Sequence, residues 1–114
     1  MKLAKARTRP IPGTMNKTEE LYQEHLRSLR DNGEILEFWW EGIKLKLANK
    51  TTYTPDFLVL TKELTLECHE VKGFWQDDAR AKTKIAAAMY YPFIFKAFTP
   101  IAKGKGGGWL QEDF

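Results

Sequence analysis

Apolar and polar positions recur along this chain with two different periods, and the switches between them mark out its elements. Residues 16–30 follow the helical period, with Tyr22, Leu26 and Leu29 at spacings of four and three. Asn16 supplies an N-cap and Asn32-Gly33 a stop. From Ile35 to Ala48 strand formers dominate: Phe38, Trp39 and Trp40, then Ile43, Leu45 and Leu47 alternating with Lys44 and Lys46. Glu41-Gly42 marks a bend or bulge in that run, and Asn49-Lys50 a turn. Tyr53–Thr61 reads as a second strand and Leu64–Lys72 as a third, joined by a tight turn near Lys62-Glu63. Asp77 or Asp78 caps a second helix reaching Tyr91, with Ala81, Ile85, Ala88 and Met89 on one apolar face. Pro92 ends it. Phe93–Phe98 is a fourth strand, Lys103–Gly108 a glycine-rich loop and Trp109-Leu110 a short last strand. The order αβββαβ predicts an α/β fold with a mixed central sheet flanked by helices.

Length and charge refine this picture. A chain of 114 residues suffices for one core but not two, so a basic arm over residues 1–15 and a single domain over 16–114 are expected. The net charge of +3 is mild, but its placement is uneven: lysines and arginines crowd residues 2–9, 80–84 and 103–105. The single cysteine, Cys68, excludes an intramolecular disulfide and favours a reducing compartment. Cys68, His25 and His69 are too few to build a structural zinc site. No stretch approaches the roughly 20 apolar residues of a membrane span. A soluble, cytoplasmic protein without a membrane partner is the expectation.

Two short patches carry the candidate chemistry. Pro55-Asp56 and Glu70-Val71-Lys72 stand fourteen residues apart, counted from Asp56 to Glu70. Residues two apart on a strand share a face, so Glu70 and Lys72 point together and Val71 points the other way into packing. If the second and third strands pair, Asp56 approaches Glu70 across the pair. Two carboxylates and the backbone carbonyl of Val71 then offer an oxygen-rich site suited to Mg²⁺. Such an ion activates a water for attack on phosphorus, with Lys72, kept charged by the acids beside it, as an electrostatic stabiliser. The rival reading of these residues is a salt-bridge cluster on a hairpin surface.

The strings Tyr53-Thr54-Pro55-Asp56-Phe57-Leu58-Val59 and His69-Glu70-Val71-Lys72-Gly73 resemble the PD-(D/E)XK nuclease superfamily, which shares the restriction-endonuclease-like fold. The wider pattern is similar to a small phage-encoded family within it, likened to Holliday-junction resolvases. That pattern runs from Asn16-Lys17-Thr18-Glu19 through Lys72-Gly73-Phe74-Trp75 to Gly106-Gly107-Gly108-Trp109. The resemblance spans residues 15–114 and implies a restriction-endonuclease-like αβββαβ core, a Mg²⁺ site in which Mn²⁺ can substitute, and DNA endonuclease activity.

Such nucleases carry a further acid on the first helix, where Glu19, Glu20 and Glu24 compete. At about 100° per residue Glu20 points away from the apolar face and Glu24 is on the solvent side, while Glu19 borders that face. Asn16-x-x-Glu19 is also a capping box, so Glu19 has two candidate roles, metal-site acid and helix cap. The resemblance further implies phosphate contacts from the helix after the catalytic strand, through Arg80, Lys82 and Lys84, for which a solvated face with an Asp78–Lys82 pair is the alternative. Gln76, shortly after the ExK, is a candidate contact to the scissile phosphate or equally a loop residue. Lys103 and Lys105 add charge in the glycine-rich loop. Branched DNA of the Holliday-junction type, cut by a homodimer during phage recombination in the host cytoplasm, is the expected substrate. The alternatives are a single-strand, flap or nicking nuclease, and a non-catalytic DNA-binding protein that retains the fold.

Other signals carry less. The Lys103–Gly108 run lacks the spacing of a nucleoside-triphosphate loop, and His69-Glu70 lacks the second histidine of a zinc-protease motif. Trp39, Trp40, Trp75 and Trp109 are read as packing residues, and Phe38–Trp40 as a candidate subunit interface.

Overall fold

The computed structural model describes residues 13–74 and 77–114; most of the predicted basic arm and Gln76 lie outside them. Helix α1 (Lys17–Asp31) begins with the capping box that its sequence encodes. The Glu19 N–H donates to the Asn16 side chain at 2.8 Å, and the Asn16 N–H donates back to the Glu19 carboxylate at 3.0 Å. At the other end Gly33 takes a left-handed φ of 78°, which lets the Gly33 and Glu34 amides turn back onto the carbonyls of Arg30 and Leu29.

Among the described residues, seven strands follow in two sheets. β1 (Ile35–Trp40), β4 (Phe57–Thr61), β5 (Leu66–Val71), β6 (Ile94–Pro100) and β7 (Trp109–Asp113) form a mixed five-stranded sheet in the order β1-β4-β5-β6-β7. β5 and β6 are parallel, connected by helix α2 (Asp77–Met89), and all other pairs are antiparallel. β2 (Leu45–Ala48) and β3 (Thr51–Tyr53) form a separate two-stranded ribbon. The α1 side of the sheet buries Tyr22, Leu26, Phe57, Val59, Val71 and Phe98; the α2 side buries Leu45, Tyr53, Cys68, Ala86 and Phe95. The fold is α/β, with two helices on a mixed sheet. Among the described residues no helix is long and apolar enough to cross a membrane.

Three expectations are corrected. The run Ile35–Ala48 is two strands, because the chain leaves the main sheet at Glu41, whose φ is 49°, and Gly42. A Cβ on Gly42 would stand 2.8 Å from the Cβ of Trp39, so only glycine permits this exit. Tyr53–Thr61 is also divided. Tyr53 closes the ribbon, and Asp56 sits in a bend before β4, since Pro55 has no N–H to give a ladder.

The third correction concerns α2. Its predicted apolar face is turned outward, with Ile85 48% and Met89 49% exposed and Ala81 and Ala88 exposed as well. The helix buries Thr83 and Ala86 instead, small residues that allow a close approach to the sheet and ribbon. The Thr83 hydroxyl donates to the Ala79 carbonyl at 3.0 Å, which satisfies it in the interior.

Candidate active site

Asp56, Glu70 and Lys72 meet at one end of the main sheet. The ladder pairs Phe57 with His69, and continuing it by one residue sets Asp56 opposite Glu70, on the α2 side. Backbone bonds fix the bend that carries Asp56. The Glu41 N–H donates to the Asp56 carbonyl at 2.8 Å, and the Val71 N–H donates to Asp56 Oδ2 at 2.8 Å. Glu70 is held from two sides, by Lys72 Nζ at 3.1 Å and by the Tyr53 hydroxyl, which donates to Oε1 at 2.7 Å. Asp56 and Glu70 are only 9% and 5% exposed. They open on a cleft of about 290 Å³ lined also by Thr52, Thr54, Lys72 and Lys82.

This arrangement is costly for two negative charges. Burial, and then the Glu70 carboxylate, push Asp56 up to about 9, against the pull of the Val71 amide and Lys72; Glu19 adds to the rise. Lys72 moves the other way in charge. Burial would discharge it, but Glu70, Asp56 and Glu19 together hold its ammonium above the ordinary lysine value. Tyr53 stays a hydroxyl donor, raised by burial first and by Glu70 second. The site is therefore two buried acids on facing positions, Asp56 with its proton affinity raised, beside a fixed cation.

A divalent cation fits this donor set. Its charge would offset the repulsion that raises Asp56, and hard oxygen donors with room for water are what Mg²⁺ takes. Among the described residues no three His, Cys, Asp or Glu side chains converge into a ready-made cage. Glu19 instead keeps Oε1 in the capping box, while its charge is felt by both Asp56 and Lys72. Val71 is buried on the α1 side, as strand parity requires, and its amide orients Asp56.

The predicted basic residues divide. Lys82 lines the cleft and donates to the Thr52 carbonyl at 3.2 Å. Arg80 is paired with Glu112 and lies over the Phe114 ring, and Lys84 borders a different hollow with them. Lys103 and Lys105 stand on an exposed turn between β6 and β7. Because β5 and β6 are parallel, that turn lies off the same end of the sheet as Lys72.

Two features have no signal in the sequence. Tyr53 braces Glu70 only because the ribbon folds back over the sheet, and nothing local in the chain announces that. Tyr53→Phe is expected to lower stability by about 1–3 kcal/mol, measured by urea unfolding, because Glu70 loses a buried donor. The second feature is a buried polar chain on the opposite face. Tyr22 OH lies 2.7 Å from His69 Nδ1, His69 Nε2 lies 2.7 Å from Glu67 Oε1, and Lys96 Nζ lies 3.1 Å from Glu67 Oε2.

No family model, curated protein or solved structure matches the chain.

Proposed function

We propose that this protein is a Mg²⁺-dependent endodeoxyribonuclease of the PD-(D/E)XK type. The observation that carries the reading is the buried Asp56–Glu70 pair with Lys72 bonded beside it. A structural salt bridge needs one acid and one base; a second buried acid that must hold a proton is an unstable addition unless a cation takes its place. The topology supports the same reading. With the ribbon taken as an insertion, α1, β1, β4, β5, α2 and β6 follow the αβββαβ order of the restriction-endonuclease-like core.

Asp56 and Glu70 would hold the ion, with the Val71 carbonyl as a further oxygen. Bound there, the ion supplies an activated water and screens charge on the phosphate. Lys72 stays protonated among the acids and neutralises the charge that develops on the phosphate oxygens. Tyr53 fixes the Glu70 carboxylate, and the Val71 amide fixes that of Asp56, so neither must reorganise. Glu19 completes the acid set from the helix start, keeping its capping role. Lys82 faces the cleft and contacts the phosphate next to the cleaved bond. We place branched duplex DNA as the substrate and a homodimer as the active form, because paired incisions need two such sites.

Supercoiled plasmid and a synthetic four-way junction, each incubated with Mg²⁺, Mn²⁺ or EDTA, test this directly. Nicking or linearisation that EDTA abolishes, with faster cutting of the junction than of its duplex arms, is expected. An inert protein with both metals overturns the nuclease reading. Cutting without junction preference overturns the branched substrate alone.

A further inference from the structure

We propose that the β2–β3 ribbon is a second DNA-contact element, whose Lys44, Lys46 and Lys50 grip the phosphate backbone of duplex beside the cleft. This rests on the nuclease reading above and extends it to residues that no motif pointed to. The ribbon leaves the main sheet where β1 ends. Trp40, the last residue of β1, pairs with Phe57, so the ribbon springs from the same end of the sheet as Asp56.

Three observations give the ribbon this role. Its two faces are chemically opposite. Leu45 and Tyr53 pair and are buried, whereas Lys46 and Thr52 pair on the outer face, and Thr52 lines the cleft. Lys46 thus shares its face with a cleft residue. Secondly, from Gly42 to Pro55 the chain contains no Asp or Glu, and Lys44, Lys46 and Lys50 are exposed without an ion pair to any described residue. Lys50 even occupies a left-handed position, φ 60°, where glycine would sit without strain.

The third observation is rigidity. The Tyr90 hydroxyl donates to the Lys46 carbonyl at 2.7 Å, Lys82 Nζ donates to the Thr52 carbonyl at 3.2 Å, and Tyr53 reaches Glu70 at 2.7 Å. The ribbon is tied to α2 and to the acid pair itself, so the backbone that carries its lysines is held in place beside the cleft. Lys44 and Lys46, two residues apart on an extended segment, are about 7 Å from each other. They are point charges, which read the backbone and not the sequence of bases.

The test measures binding apart from cutting. Fluorescence anisotropy of a labelled duplex is followed across a salt series in Ca²⁺ without Mg²⁺, for the wild type, Lys46→Glu and Lys62→Glu. Lys62 is exposed in the β4–β5 turn, at the far end of the sheet, and makes the same charge change there. Lys46→Glu is expected to weaken binding at least tenfold and Lys62→Glu less than twofold. The triple variant Lys44→Ala/Lys46→Ala/Lys50→Ala should lower the slope of log K against log salt by roughly 0.9 for each phosphate that is no longer neutralised. Melting temperatures close to wild type establish that the variants are folded.

Equal weakening by Lys46→Glu and Lys62→Glu, or an unchanged slope in the triple variant, overturns the ribbon's role while leaving the nuclease reading intact. A wild type that neither binds nor cuts DNA overturns both.

Discussion

Asp56→Asn is expected to abolish Mg²⁺-dependent DNA cleavage, by at least about a thousandfold, and at the same time to stabilise the metal-free protein. The two effects share one cause. Asparagine keeps an oxygen for the Val71 N–H but cannot supply the charge that holds an ion against Glu70. Losing an ion worth several kcal/mol of transition-state stabilisation corresponds to about three powers of ten in rate. Without metal, however, the wild-type pair is a liability. The folded-state value for Asp56 is raised, from 3.8 to about 9, so across that window folding must take up a proton. Stability contributed by this group is therefore greatest at low pH and falls as pH rises towards 9. Asparagine removes that dependence and should raise stability at pH 8 by on the order of 1–3 kcal/mol. Thermal melts with and without Mg²⁺ at pH 6 and pH 8, alongside cleavage rates, measure both. In the wild type, Mg²⁺ should stabilise more at pH 8, nearer the raised Asp56 value, where it competes less with the proton; in the variant it should do nothing at either pH. A variant that still cuts, or that melts well below wild type in EDTA, would show that Asp56 is a structural residue.

The part of this site written in the sequence is the part set by local geometry. The parity of Glu70, Val71 and Lys72 along β5 needs only the period of a strand, and the structure shows Glu70 and Lys72 on one face with Val71 on the other. Asn16 and Glu19 announce their capping box across one helical turn. What is not legible depends on residues far apart in the chain. Tyr53 finds Glu70 across 17 positions and Tyr22 finds His69 across 47, through packing that no window of sequence contains. The buried face of α2 escapes the sequence for a related reason. Counting apolar residues favours Ile85 and Met89, but the ribbon and β6 leave room only for residues of the size of Thr83 and Ala86. Likewise the break at Gly42 follows from a close approach to Trp39 and Leu58, a tertiary contact that looks like an ordinary glycine in the chain.

Tyr22→Ala should remove most of the folding stability, because this side chain joins the aromatic core to the buried polar chain. It is 1% exposed and packs on Phe98 at 4.9 Å between ring centres, Trp109 at 5.0 Å and Phe57 at 5.6 Å. Emptying an aromatic site of this kind costs about 3–5 kcal/mol. Stranding the buried His69 Nδ1 adds about 1–3 kcal/mol. Together these are comparable with the whole stability of a small domain, roughly 5–15 kcal/mol.

Tyr22→Phe separates the two contributions, since it keeps the packing and deletes only the hydroxyl. Its effect should depend on pH. Burial holds His69 below the ordinary histidine value against the opposing pull of Glu67, with Lys96 and His25 adding to the depression. The folded state thus keeps His69 neutral, with the Tyr22 hydroxyl donating to Nδ1 and Nε2–H donating to Glu67. A depressed histidine contributes its full stability above the unfolded value of 6.5 and loses it as pH falls through the folded value. In the phenylalanine variant Nδ1 has no donor, so it accepts a proton more readily and the acid penalty shrinks. Urea unfolding from pH 8 to pH 5 should show the two proteins converging. A non-zero gap that stays constant across that range would mean that the hydroxyl's contribution is independent of His69 protonation, and no gap at all would mean that Tyr22 acts through packing alone.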